Sequence, residues 1–113
     1  METIFEKTKT TPQVKWSKEY DIISIEGNLI TYDNPTFWKE ISKKLINDSE
    51  TKQVEFDLEY VNTNSLRNLL KLISNTKGIK FKWYYQDFDD DMLEMGKNLE
   101  LFSKTEFEFI EKK

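Results

Sequence analysis

Residues 54–60 alternate without exception: Val54, Phe56, Leu58 and Tyr60 are apolar or aromatic, and Glu55, Asp57 and Glu59 between them are acidic. A period of two with one polar face describes a strand whose one side meets a core and whose other side meets water. The same rhythm recurs at Val14 and Trp16 against Gln13 and Lys15, and at Ile23 and Ile25 against Ser24 and Glu26. It returns at Ile79, Phe81 and Trp83 against Lys80, Lys82 and Tyr84, and at Phe107 and Phe109 against Glu106 and Glu108. Strands covered on both faces read instead as continuous apolar runs. The chain is thereby confined to an α/β (α+β) domain, a mixed sheet of about five strands with about three helices packed on one face. It is expected to form one unit over residues 1–113. Residues 1–12 make either an irregular arm or a short edge strand, and their pattern leaves both open.

The helices are marked by their ends. Asp33 or Asn34 followed by Pro35 is a helix start, and Phe37, Trp38, Ile41 and Leu45 form the apolar stripe of a helix running to about Ile46. It is expected to end in the polar loop Asn47-Asp48-Ser49-Glu50. Leu66, Leu69, Leu70 and Ile73 stand at i, i+3, i+4 and i+7, one face of a second helix, with Lys77-Gly78 as its last-turn cation and C′ glycine. Asp87, Asp89, Asp90 and Asp91 crowd the start of a third, where carboxylates favour the positive end of the helix dipole. Met92, Met95 or Gly96, Leu99 and Phe102 supply its inner face. Ser17 to Asp21 reads as a hairpin turn, and Gly27-Asn28 as the break that ends the following strand. If the strands flanking the second helix are neighbours, Glu55, Asp57 and Glu59 lie near Lys80 and Lys82. Such cross-strand pairs contribute about 0.2–1 kcal/mol each.

Between the strand ending near Tyr60 and the second helix lie Asn62-Thr63-Asn64-Ser65, four residues of N-cap type in succession. Thr63 and Ser65 bring hydroxyls close to the unpaired N–H groups of a helix start, and this junction is the candidate functional centre. Composition narrows its chemistry. The 113 residues contain neither cysteine nor histidine. Disulfides, thiolate and imidazole metal sites, Ser-His-Asp or Cys-His catalysis and histidine phosphotransfer are therefore excluded. A net charge of −4 argues against a general nucleic-acid binder. No apolar run reaches the ~20 residues of a membrane span. Met1-Glu2-Thr3-Ile4 lacks a signal-peptide pattern, and the cytoplasm is the expected location.

Asp87-x-Asp89-x-Asp91 resembles the opening of an EF-hand loop, but Met92 stands where glycine is needed and Asn98 where a bidentate acid is needed. No metal or other cofactor is expected. A hydrolase built on Asp57, Glu59 or the Asp87–Asp91 cluster would lack a phosphate-cradling glycine loop and ranks last. Phe56, Phe81 and Trp83 read as core. Tyr84 and Tyr85, at a strand end, are candidates for an interface.

Taken together, Leu58-Glu59-Tyr60-Val61-Asn62-Thr63-Asn64-Ser65, Trp83-Tyr84-Tyr85 and Asp91-Met92-Leu93-Glu94-Met95-Gly96 resemble the motifs of the SiaC-type regulatory phosphoproteins. Thr11-Pro12-Gln13-Val14 and Ile25-Glu26-Gly27 extend the likeness over nearly the whole chain. The resemblance implies a STAS-like fold (that of anti-sigma-factor antagonists) and a non-enzymatic partner switch. In such a switch a serine/threonine kinase of histidine-kinase-like ATPase type phosphorylates the threonine, here Thr63. A PP2C-type phosphatase removes the phosphate. The unmodified form binds an effector, such as a diguanylate cyclase. Tyr60, Asn62, Asn64, Ser65, Tyr84 and Tyr85 are the expected partner-binding residues, Arg67 or Lys71 a helper toward the phosphate, and Ser65 itself a cap. The sequence departs from the family pattern at Asn64, where a serine is usual, and at Tyr32-Asp33-Asn34, which lacks a proline. The alternative is a constitutive interaction domain of anti-anti-sigma type in which Thr63 only caps a helix.

Overall fold

The computed structural model describes residues 2–32, 34–47 and 51–112. The alternating segments form one six-stranded mixed sheet, with β1 (Glu2–Phe5), β2 (Gln13–Ser17), β3 (Ile22–Leu29), β4 (Gln53–Val61), β5 (Lys80–Gln86) and β6 (Phe107–Lys112) side by side in chain order. The β1–β2 and β2–β3 pairs are antiparallel, and β3 to β6 run parallel to one another. Helices α1 (Pro35–Ser42), α2 (Thr63–Ser74) and α3 (Asp90–Ser103) link the parallel strands. The pairing register puts Trp16, Ile23, Val54, Phe81 and Phe107 in one row, and Val14, Ile25, Phe56, Trp83 and Phe109 in another. With Phe37, Ile41, Leu69, Leu72, Ile73, Met92 and Leu99 from the helices, they make one core. Between these rows Lys15, Ser24, Glu55, Lys82 and Glu108 line up on the opposite, open face.

The sheet has one strand more than the alternation announces, because the N-terminal segment is an edge strand. Its register on β2 shifts between Thr3 and Phe5, and Phe5 reaches inward to place its ring 5.0 Å from that of Phe37. Nor does β3 stop at Gly27-Asn28. The glycine takes φ +126°, a conformation open to residues without a Cβ, and the strand continues to Leu29 across a register shift. Opposite it, Gly27 pairs with Leu58 and Asn28 with Tyr60, so Glu59 is the extra residue of a bulge. A bulge inverts the alternation beyond it. Leu58 and Val61 are buried, and Tyr60, in phase with the core positions by sequence, faces outward.

Local chemistry fixes the helix ends. Asn34 Oδ1 accepts from the Phe37 N–H at 3.2 Å ahead of Pro35, and α1 widens at its C-terminus into a π-helical turn over Lys43–Asn47. The polar loop expected next, and Asp33, lie outside the described residues except for Asn47. Asp89 caps α3 through the Met92 N–H at 3.0 Å, with Asp90 and Asp91 in the first turn. Phe102, expected inside, is two-thirds exposed. α2 ends at Ser74 with Asn75 as its cap, and the Thr76 hydroxyl donates to Leu72 O at 2.6 Å. Lys77-Gly78 therefore belongs to the turn beyond the helix, where Gly78 has φ +76°.

The open face pairs only partly as expected: Glu55 stands opposite Lys82 in register, but the closest ion contacts of the lysines lie elsewhere. Lys80 and Lys82 lie 4.0 and 3.7 Å from Glu108 of β6. Asp57 takes Lys112 at 2.8 Å, Glu55 accepts from the Tyr84 hydroxyl at 2.8 Å, and Glu59 lies 4.0 Å from Lys7. Solvated pairs of this kind contribute about 0–1 kcal/mol, so they tune the face and do not hold the fold.

α3 is seated by the Trp83 indole, whose Nε1–H donates to Met92 O at 3.0 Å. The approach is so close that a Cβ on Gly96 would stand 2.6 Å from Trp83 Cδ1 and 2.9 Å from Phe109 Cε1. The fully buried indole cannot retreat without breaking that bond. Gly96→Ala is expected to destabilise the protein by about 1–3 kcal/mol, the usual range for overpacking, read from chemical unfolding midpoints.

Candidate functional site

α2 begins with Asn62 as its N-cap, because Asn62 Oδ1 accepts from the Ser65 N–H at 2.9 Å. The other end of the same amide donates from Nδ2 to Thr31 O at 2.8 Å, and the Asn62 N–H donates to Leu29 O at 3.1 Å. One side chain thus ties the end of β4, the start of α2 and the segment after β3.

Beneath it lies a buried hydroxyl pair. Ser65 and Thr31 are 0% and 2% exposed, and their oxygens are 2.7 Å apart. The surrounding contacts set the protons. Thr31 Oγ1 donates to Asn64 Oδ1 at 3.1 Å and accepts from Trp38 Nε1 at 3.2 Å, so Ser65 Oγ donates to Thr31 Oγ1. Ser65 Oγ in turn accepts from the Thr31 N–H at 2.9 Å. Every polar atom of Thr31 is engaged. Ser65, expected as a cap and a partner contact, is neither at the surface nor a cap: it is the third helical residue and braces the interior.

Thr63 is the first residue of α2 and is exposed. Its hydroxyl has no hydrogen-bond partner among the described residues, and the cap position that the alternative reading assigns to it belongs to Asn62. The first four N–H groups of a helix lack intrahelical acceptors. Here Asn62 Oδ1 takes that of Ser65 and Asn62 O that of Leu66, whereas those of Thr63 and Asn64 meet no acceptor among the described residues. Thr63 therefore presents a free hydroxyl over two free donors. Asn64 Oδ1 accepts from the Thr31 hydroxyl and from Asn68 Nδ2 at 3.2 Å. Tyr60 is 57% exposed on the strand before the junction, and Tyr32, just after Thr31, is 79% exposed.

The two tyrosines expected at the end of β5 part ways. Tyr84 is half-buried on the open face, held by Glu55 and away from the junction. Tyr85 packs partly against the core and lines a cleft of about 310 Å³ with Leu58, Glu59, Gln86 and Phe88. Periodicity did not point to Thr31, Trp38 or Asn68 as parts of this site. The one signal for Thr31 is a lone hydroxyl residue directly after the apolar pair Leu29-Ile30. Among the described residues no group of three or more acids gathers to hold a metal ion, and no helix is long and apolar enough to cross a membrane.

The sequence profile of the SiaC family regulatory phosphoproteins matches residues 5–112. The chain belongs to that family. Its fold is similar to apo-SiaC from Pseudomonas aeruginosa, with a TM-score of 0.74, 15% identity and all of both chains covered. It is also similar to a chain of the crystal structure of the diguanylate cyclase SiaD in complex with its activator SiaC from the same organism. There the TM-score is 0.77, the identity 14%, and 95% of each chain is covered. Among curated proteins none matches the sequence. At such identities the likeness establishes the SiaC fold, and the side-chain geometry of the junction is this chain's own.

Two measurements probe the site. Ser65→Ala removes the acceptor of the Thr31 N–H within a site closed to water, and is expected to cost about 1–3 kcal/mol in denaturant unfolding. Tyr84 titrates above its ordinary value of 10.0, pushed up to about 12 by burial, then by its hydrogen bond to Glu55 and the charges of Glu55, Asp57 and Glu108. The folded state thus holds the phenolic proton more tightly than the unfolded chain does. This stabilisation is complete below pH 10 and is lost as pH rises through 12. Stability measured across that window is expected to fall less steeply in Tyr84→Phe.

Proposed function

We propose that this protein is a non-enzymatic cytoplasmic signalling switch whose acceptor is Thr63. A serine/threonine kinase of histidine-kinase-like ATPase type phosphorylates it, and a PP2C-type phosphatase restores it. The unmodified form docks on an effector of the diguanylate cyclase class. The observation that carries this reading is the free Thr63 hydroxyl above two unclaimed N–H donors on a frame that the Thr31–Ser65 pair holds rigid.

The chemistry suits the position. In the forward step Thr63 Oγ1 bonds to the γ-phosphorus of ATP, the bond to the bridging oxygen breaks, ADP leaves and the hydroxyl proton passes to the kinase. In the reverse step water takes the place of the threonine oxygen and inorganic phosphate leaves. The product carries about −1.5 to −2 charges and three acceptor oxygens. Free N–H groups and the positive end of the helix dipole favour such a group, so the fold accommodates it. A partner lying flat over Thr63 must instead bury that charge away from water, close to the outward-facing Tyr60. An uncompensated buried charge costs enough to abolish a transient interface.

Incubation with the partner kinase and ATP is expected to add one phosphoryl mass, located at Thr63 by fragmentation, removable by the phosphatase and absent from Thr63→Ala. Thr63→Asp is expected to weaken effector binding about tenfold or more while leaving the unfolding midpoint nearly unchanged. Phosphate on another residue, or full effector affinity in the phosphorylated protein, would refute the assignment.

A further inference from the structure

Thr63, Leu66, Arg67 and Leu70 stand at i, i+3, i+4 and i+7 of α2 and so share one face of the helix. That face opens into a groove of about 210 Å³ between α2 and α3, lined by Leu66, Arg67, Leu70, Asn98, Leu99 and Phe102. None of these side chains is acidic. Leu66 and Leu70 are only partly covered, and Phe102 stands out at the far end with Leu101 beside it. The apolar strip thus starts one turn below the proposed phosphoacceptor and runs away from it along the helix pair.

Arg67 is the only arginine in the chain. It is exposed, and among the described residues it has no acid partner, although the protein as a whole is acidic. α2 carries two cations and no carboxylate, whereas α3 has Asp90 and Asp91 in its first turn. Helical side chains lean toward the N-terminus, and i,i+4 neighbours have Cβ atoms about 5–6 Å apart, so the Arg67 guanidinium is within reach of a phosphate on Thr63. Its planar fork suits a carboxylate or a phosphate equally, which lysine does not match.

We propose that the α2–α3 groove seats an amphipathic helix of the effector, with apolar side chains between Leu66, Leu70, Leu99 and Phe102 and a rim carboxylate on Arg67. Phosphate on Thr63 releases that helix by drawing Arg67 to itself. A helix is the occupant because the groove lies between two helices, the setting for an apolar helical face. The carboxylate follows from the unpaired guanidinium at its edge. The proposal rests on Thr63 being the acceptor, and it adds that Arg67 transmits the modification.

The probe is a synthetic helix with leucines along one face and a glutamate at its rim, beside the same peptide with lysine in place of the glutamate. Both are titrated by NMR into the unmodified protein, into Arg67→Gln, and into protein with phosphothreonine installed at position 63 during translation. The glutamate peptide is expected to shift the signals of Leu66, Leu70, Leu99 and Phe102. Its affinity is expected to fall about tenfold in Arg67→Gln, the scale of one charge-assisted hydrogen bond, and at least as far in the phosphoprotein. The Arg67 Nε–H signal should move on phosphate installation alone. Equal binding of both peptides, perturbations centred on Tyr60 and Phe88, or an unmoved Arg67 in the phosphoprotein would overturn the inference. So would groove signals that shift with protein concentration alone, since the occupant would then be a second copy. Because the phosphate is installed without a kinase, a kinase that ignores Thr63 refutes the acceptor assignment and leaves this result separate.

Discussion

The contact between Thr31 Oγ1 and Ser65 Oγ, 2.7 Å long and closed to solvent, is what the junction depends on. It joins the segment after β3 to the first turn of α2. Its neighbours are arranged so that each proton has one destination: the Trp38 indole into Thr31, Ser65 into Thr31, and Thr31 into Asn64. A buried polar network is stabilising only when each member is satisfied, and this one is. The residue beside it is consequently free of structural duty. The Thr63 hydroxyl bonds to nothing among the described residues, so a change in its chemistry need not disturb the frame that displays it.

A second constraint acts on the strand leading there. Gly27 in β3 and the extra residue Glu59 in β4 make a bulge that reverses which side chains face the core. Val61 goes in and Tyr60 comes out. Without that reversal a large aromatic would be buried two residues before the helix cap, and Val61 would sit in water. The bulge thus delivers an exposed aromatic to the same edge as the exposed threonine. The rest of the sheet is held flush against its helices, most tightly where Gly96 meets Trp83.

Much of this was legible from the chain alone, for reasons specific to particular residues. Strands β2 to β6 announced themselves because one face of the sheet is open, so polar and apolar residues must alternate. The edge strand β1 did not, since it has four residues and its register shifts within them. The start of α2 was visible as a run of capping types, but four residues of similar propensity cannot tell which one caps. That was decided by Thr31, more than thirty positions earlier, which takes Ser65 into the interior and leaves Asn62 to receive the N–H. The register put Glu55 opposite Lys82 as expected, but the closest ion partner of the β5 lysines was not legible, for a similar reason. Opposite charges flank it on both sides, and the choice of Glu108 depends on side-chain reach and not on local pattern.

The order of the strands across the sheet is the order in which they are made. Each new strand pairs with the one synthesised just before it, so none waits at the ribosome with both edges bare for a distant partner. Growth of the sheet can proceed by accretion from one border to the other, each addition closing only a short loop or a single helical crossover. Topologies of this kind keep the entropic barrier of ring closure low and shorten the time during which apolar faces stand open to aggregation.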